Sequence, residues 1–207
     1  ALYLGFAATV NNCIFDSNQA KGNGGAILAV LNELSVTYSL FINNDAANGG
    51  AIYSQNQDVH VSYSNFTKNT ALNGAAIVLS KDSDIINSLF QDNIASGNGT
   101  IYVAHVDTRS TIENTTFLRN KGYSGAAVYY GTGTWAPNLY LTNDTFVGNN
   151  ATHNGGAVYY MFASKTITYR DYDNFDDRGV IDADNRTTVA FKTQWNDLGN
   201  SIVRCYF

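Results

Sequence analysis

Charge is scarce in this 207-residue chain: only 14% of residues are Asp, Glu, Lys or Arg, and the net charge is −5. An acidic, thinly charged chain lacks the basic patch that displaces counterions from phosphate, which excludes a general nucleic-acid binder. It also disfavours docking on an anionic membrane surface. No apolar run approaches the roughly 18 residues a transmembrane helix needs, so no membrane insertion is expected. The chain begins without an initiator Met and without a basic-apolar signal, which reads as a mature or excised segment. There is one Pro, and Lys, Glu and Leu, the helix formers, are few. What is abundant is 14 Tyr, 11 Phe, 18 Gly and still more Asn. Aromatic and β-branched residues favour strands, while Asn and Gly favour turns, so the composition is all-β.

The chain repeats itself. Phe15, Phe41, Phe66, Phe90, Phe117 and Phe146 lie 26, 25, 24, 27 and 29 residues apart, and each is followed three residues later by Asn: Asn18, Asn44, Asn69, Asn93, Asn120 and Asn149. After each pair comes Gly24-Gly-Ala-Ile27, Gly49-Gly-Ala-Ile52, Gly74-Ala-Ala-Ile77, a weaker Asn98-Gly-Thr-Ile101, Gly125-Ala-Ala-Val128 or Gly155-Gly-Ala-Val158. Self-similarity at a fixed period points to a stacked-repeat architecture. Five residues before each Phe stands an aliphatic residue (Val10, Val36, Val61, Ile85, Ile112, Leu141) flanked mostly by polar ones, the period-two mark of a half-buried strand.

A period of 24–29 residues suits one coil of a parallel β-helix, with two or three short strands per coil and rungs about 4.8 Å apart. Equivalent residues then stack directly, and six rungs span roughly 30 Å. The variable segments 31–34, 103–110 and 131–138 are expected to bulge from one edge. The repeated Asn reads as a structural ladder, a left-handed turn residue whose amide hydrogen-bonds along the stack. Gly-Gly reads as a bend too tight for Cβ, and no phosphate-loop pattern occurs. Residues 1–9 fit no complete repeat and either pair with the first rung or cover its end. After Met161 the pattern decays, with Phe175 marking a degraded seventh rung. The expected division is a repeat domain over 1–162 and a divergent final rung and cap over 163–207.

These tandem Phe-x-x-Asn and Gly-Gly-Ala-Ile/Val/Leu motifs, over about residues 10–160, resemble the repeats of chlamydial polymorphic outer-membrane proteins and the adhesin-like surface proteins of methanogenic archaea. The resemblance implies a right-handed parallel β-helix of six to seven rungs, extracellular or displayed on a cell surface, acting in adhesion or surface structure. The chlamydial pattern includes a C-terminal outer-membrane barrel that is not found in this sequence, so an autotransporter role is not supported.

Candidate sites are few. Cys13 and Cys205 are disulfide candidates. Cys13 also fits as a small residue in the column Ser39, Ser64, Ser88, Thr115 and Asp144. Pairing requires either that the tail run back along the tube or that Cys205 of one subunit meet Cys13 of the next, head to tail, since Cα atoms must approach within about 7 Å. Stacking of open β-helix ends would build filaments. Six Asn-x-Thr sequons, at Asn65, Asn98, Asn114, Asn143, Asn150 and Asn185, are glycosylation candidates. Asn114 and Asn143 share a column with Asn12 and Asn87, in a bend rather than on the open surface. The acidic run Asp171, Asp173, Asp176, Asp177, Asp182 and Asp184 lacks EF-hand spacing and reads as a solvated cap, so no metal or cofactor is expected. His60, His105 and His153 fall in different columns, Asp92 and Asp144 stand alone, and no catalytic constellation appears, so no enzyme is expected. A polysaccharide-degrading site would have to come from the divergent end, for instance Asp171 with Asp177. The column Tyr53, Tyr102, Tyr129, Tyr159 is either a cross-strand aromatic ladder or a carbohydrate-binding face.

Overall fold

A computed structural model describes residues 2–104, 109–131, 138–161, 180–181, 193–194 and 201–203. Among them there is no helix, and nearly all strand pairing is parallel. The chain winds as a β-solenoid of about six turns.

Four sheets run along the tube. The first contains Leu2–Leu4, Ile27–Ala29, Ile52–Ser54, Ile77–Leu79, Ile101–Val103, Val128–Gly131 and Val158–Met161. The second contains Ala8–Asn11, Leu34–Thr37, Val59–Ser62, Ser83–Ile86, Arg109–Glu113 and Asn138–Thr142. The third holds the phenylalanines: Ile14–Asp16, Leu40–Ile42, Asn65–Thr67, Leu89–Gln91, Thr116–Leu118 and Thr145–Val147. The fourth is narrow, with Thr70–Ala71, Ile94–Ala95, Lys121–Ser124 and Asn150–Asn154. Earlier rungs reach it only through isolated bridges such as Gln19 to Asp45. A turn of chain therefore crosses four sheets, not two or three; strands of two residues are too short for an alternating pattern to reveal. Residues 2–4 and 8–9 belong to the first turn, since Leu2–Leu4 pairs in register with Ile27–Ala29.

The register keeps the columns. Phe15, Phe41, Phe66, Phe90, Phe117 and Phe146 oppose one another in sequence order. Their rings stack at centroid distances of 4.6 to 5.0 Å. They merge with Val36, Val61, Ile85, Ile27, Ile52 and their equivalents into one apolar core running the length of the tube. Inward burial of alternate strand residues removes apolar surface from water, and identical side chains in register interdigitate without a change of shape from rung to rung.

The Asn ladder lies inside. Asn44, Asn69, Asn93 and Asn120 are fully buried. The Oδ1 of Asn69 accepts both the backbone N–H of Asn44 (3.0 Å) and its side-chain amide (3.0 Å). The Nδ2 of Asn69 donates to the carbonyl of Phe41 (2.9 Å) and to Oδ1 of Asn93 (3.1 Å). Each buried amide is thus saturated, and each ties three successive rungs. These Asn residues are not the left-handed ones. Positive φ falls one position earlier, at Ser17, Asn43, Lys68, Asp92, Arg119 and Gly148. The inward-pointing amide needs ordinary backbone geometry, and the turn is made beside it.

A second ladder runs parallel through the Cys13 column. The N–H of Ser39 donates to Oγ of Ser64, that of Ser64 to Oγ of Ser88, and that of Ser88 to Oγ1 of Thr115. Each hydroxyl donates to the carbonyl two residues upstream in its own rung, as Ser64 does to Ser62. At the Gly bends the left-handed residue is Gly in all six copies: Gly24, Gly49, Gly74, Gly99, Gly125 and Gly155. This corrects the alignment of the weak fourth copy. Gly99, not Asn98, holds the left-handed position, because Asn98 sits beside Asn73 and Ser124 and the bend that follows is one residue shorter.

Candidate functional site

With both halves of the repeat internal, the side chains that face solvent are those of the outward columns. The sequon residues Asn65, Asn114, Asn143 and Asn150 are exposed, and Asn98 is half-buried, its backbone N–H donating to Oδ1 of Asn73. Asn114 and Asn143 do stack, through Asn143 Nδ2 to Asn114 Oδ1 at 3.1 Å, yet both face solvent: the left-handed bend turns its side chains outward. Asn185 and His105 lie outside the described residues, as do Cys205, Phe175 and the whole acidic run, Asp171, Asp173, Asp176, Asp177, Asp182 and Asp184.

Cys13 is partly buried in the first rung; its backbone N–H donates to Oγ of Ser39 and its Sγ lies 3.2 Å from the carbonyl of Asn11. Val203 pairs with Thr142 in the last complete turn, at the other end of the tube.

The two aspartates read as isolated have partners. Asp92 makes a two-pronged ion pair with Arg119, at 2.9 and 3.0 Å, and that hydrogen bonding holds its carboxyl below the usual range. Asp144 is the last described member of the hydroxyl ladder and is buried, accepting the N–H of Thr115 at 2.8 Å and of Thr142 at 3.1 Å. Burial pushes its carboxyl up to about 8 despite those two donors.

On the second sheet His60 stands between two acids. Its Nδ1 is 3.1 Å from Asp84 and its Nε2 3.8 Å from Glu33, while Arg109 lies 3.9 Å from the other oxygen of Asp84. The contacts cross rungs and join residues about 25 apart, so no local spacing announces them. Among the described residues no group of His, Cys, Asp or Glu has metal-site geometry.

Two aromatic columns differ in kind. Tyr102, Tyr129 and Tyr159 stack at 5.3 and 4.9 Å, half-buried or buried, so Tyr129 is covered on both faces. Burial, with the neighbouring tyrosines second, pushes the Tyr129 hydroxyl up to about 12. Besides the pairs Tyr123–His153 and Tyr130–Tyr160, Tyr38 and Tyr63 form a second stack, at 5.0 Å and 7°. They are 58% and 52% exposed and both left-handed, with φ of 50° and 51°. Their column, three residues before each Phe, is otherwise Asn12, Asn87, Asn114 and Asn143, all left-handed too. Asn tolerates this conformation; for a bulky residue it costs about 1–2 kcal/mol. The stack returns about 0.5–1.5 kcal/mol for the pair. Two strained tyrosines therefore leave folding worse off than two asparagines by roughly 0.5–3.5 kcal/mol. Sequence reasoning passed over this pair; the signal was present in a column that alternates only between Asn and Tyr.

Fold and surface together define a class: a parallel β-solenoid whose repeat motifs are internal and whose outer columns vary. Residues 12–30 and 38–55 match the model of the Chlamydia polymorphic membrane protein (Chlamydia_PMP) repeat. Each match opens at the Asn12 or Tyr38 corner and closes just beyond a Gly-Gly-Ala-Ile bend, so the chain carries repeats of this type at its first two copies. No curated protein and no solved structure matches the chain. Among the described residues no helix is long and apolar enough to cross a membrane.

Proposed function

We propose that this is an extracellular, cell-surface structural or adhesive protein that works without catalysis. The match of two repeats to a membrane-protein repeat of Chlamydia carries the reading. Supporting it, the motif residues are used up in building the tube, which leaves long regular outer columns for contact. Antibody labelling and protease shaving of intact source cells test the location: labelling without permeabilisation is expected, and protection from both would overturn it.

Non-catalysis is tested on a panel of polysaccharides, where no reducing ends and no unsaturated products are expected. Exposed sequons, Asn65 and Asn150 first, are proposed glycan acceptors, and intact mass at the bare 22.5 kDa would remove that claim. The reading includes end-to-end self-association, with Cys13 of one subunit bonded to Cys205 of the next. In the described chain Leu2–Leu4, Ala8–Asn11 and Ile14–Asp16 are paired on one side only. At the other end Val180–Ile181 pairs on the first sheet and Ser201–Val203 on the second. Non-reducing gels should show a reducible ladder, and monomer alone would exclude the disulfide.

A further inference from the structure

We infer that Tyr38 and Tyr63 form a binding site for a neutral glycan. The pair is exposed, stacked and held in a backbone conformation that Asn would adopt more cheaply, so folding does not account for it. Strained residues that persist without a structural return cluster at ligand-binding surfaces. Each ring covers one face of the other. The next residues along the column are Asn12 and Asn87 rather than rings, and both tyrosines stay more than half exposed, which leaves ring surface for the C–H groups of a sugar.

The surroundings choose the ligand. Asn11, Thr37 and Ser62 line one side of the tyrosine column and Asn65 the other, with Asn12 and Asn87 above and below. These amides and hydroxyls match sugar hydroxyls in both donor and acceptor character. Ile14 and Leu40 add apolar contact beside Asn65. The nearest charged group in the flanking columns is Glu113, two rungs past Ser62, and His60, two residues before Ser62 on the same face, is engaged by Asp84 and Glu33, so the groups bordering the tyrosine column are uncharged. The inference gives the adhesive reading a ligand class, and it is measured on purified protein, independent of where the chain is displayed.

The test pairs binding with stability. Calorimetry and affinity electrophoresis use soluble glucan, mannan and β-1,4-linked N-acetylglucosamine oligosaccharides, with polygalacturonate as the charged control. The wild type is expected to bind at least one neutral glycan, with little dependence on salt. Tyr38→Asn/Tyr63→Asn should weaken that binding roughly tenfold or more while Tm stays level or rises by a few degrees. Tyr38→Phe/Tyr63→Phe keeps the rings and should keep most of the binding. Absence of binding to every neutral glycan, unchanged binding in the Asn pair, or a fall in its Tm would each overturn the inference. The last would show the tyrosines to be structural.

Discussion

Replacing Asn69 by alanine tests the internal ladder at its centre. The substitution deletes four hydrogen bonds at once. Two donors of Asn44, its backbone N–H and one amide hydrogen, lose their only acceptor in a site closed to water. The carbonyl of Phe41 loses the side-chain donor, whereas Oδ1 of Asn93 keeps the backbone N–H of residue 69. A stranded buried donor costs about 1–3 kcal/mol, so the two donors and the lost packing come to roughly 4 kcal/mol. That is a large share of the roughly 5–15 kcal/mol that holds an ordinary domain folded. The assay is urea unfolding followed by circular dichroism, with Asn18→Ala as the reference at the partly exposed first rung. There water replaces what is lost, and less than about 1 kcal/mol is expected. A cost below about 1 kcal/mol at Asn69, or one equal to that at Asn18, would refute the reasoning.

Four further outcomes follow from the same geometry. Asp144 has a folded-state pKa of about 8 against an ordinary 3.8, so its neutral form is the one the fold accepts. Its contribution is complete below about pH 4 and is lost progressively as pH rises to about 8; Tm should fall across that window, and Asp144→Ser, the ladder's ordinary residue, should flatten the profile. Gly49→Ala forces a Cβ into left-handed backbone against the Ile52 carbonyl and should cost about 2 kcal/mol or more by denaturant unfolding. Gly148 is also left-handed, but its Cβ would meet only Arg119 Cγ at 3.4 Å, so Gly148→Asn should be neutral or slightly stabilising. Tyr129→Phe should remove a tyrosine ionisation near 12 from the spectrophotometric titration.

The tube was legible because every rung puts the same side chain into the same environment. Phe, Asn, Gly and the aliphatic at five before Phe repeat for one reason each, and alignment on Phe recovers all of them. What escaped were features without repetition or with the wrong local mark. Asn was expected to make the left-handed turn because it favours that conformation, but the buried ladder needed its amide and the preceding residue took the turn, even as Lys68 or Arg119. Strands as short as Thr70–Ala71 carry no period. His60 meets Asp84, and Arg119 meets Asp92, only because rungs stack, so their sequence neighbourhoods are silent. Tyr38 and Tyr63 are the reverse case: legible as a column, yet meaningful only once φ and exposure are known.

Phe-x-x-Asn builds the inside of the protein and leaves the outer columns facing solvent. Side-chain amide exchange measured by NMR tests it most directly, through Asn44, Asn69, Asn93 and Asn120 against the exposed Asn114 and Asn143. The four ladder amides should exchange only through global opening and persist long after those of Asn114 and Asn143 have gone. Exchange of the ladder amides as fast as the exposed pair would place the motif on the surface and contradict the account.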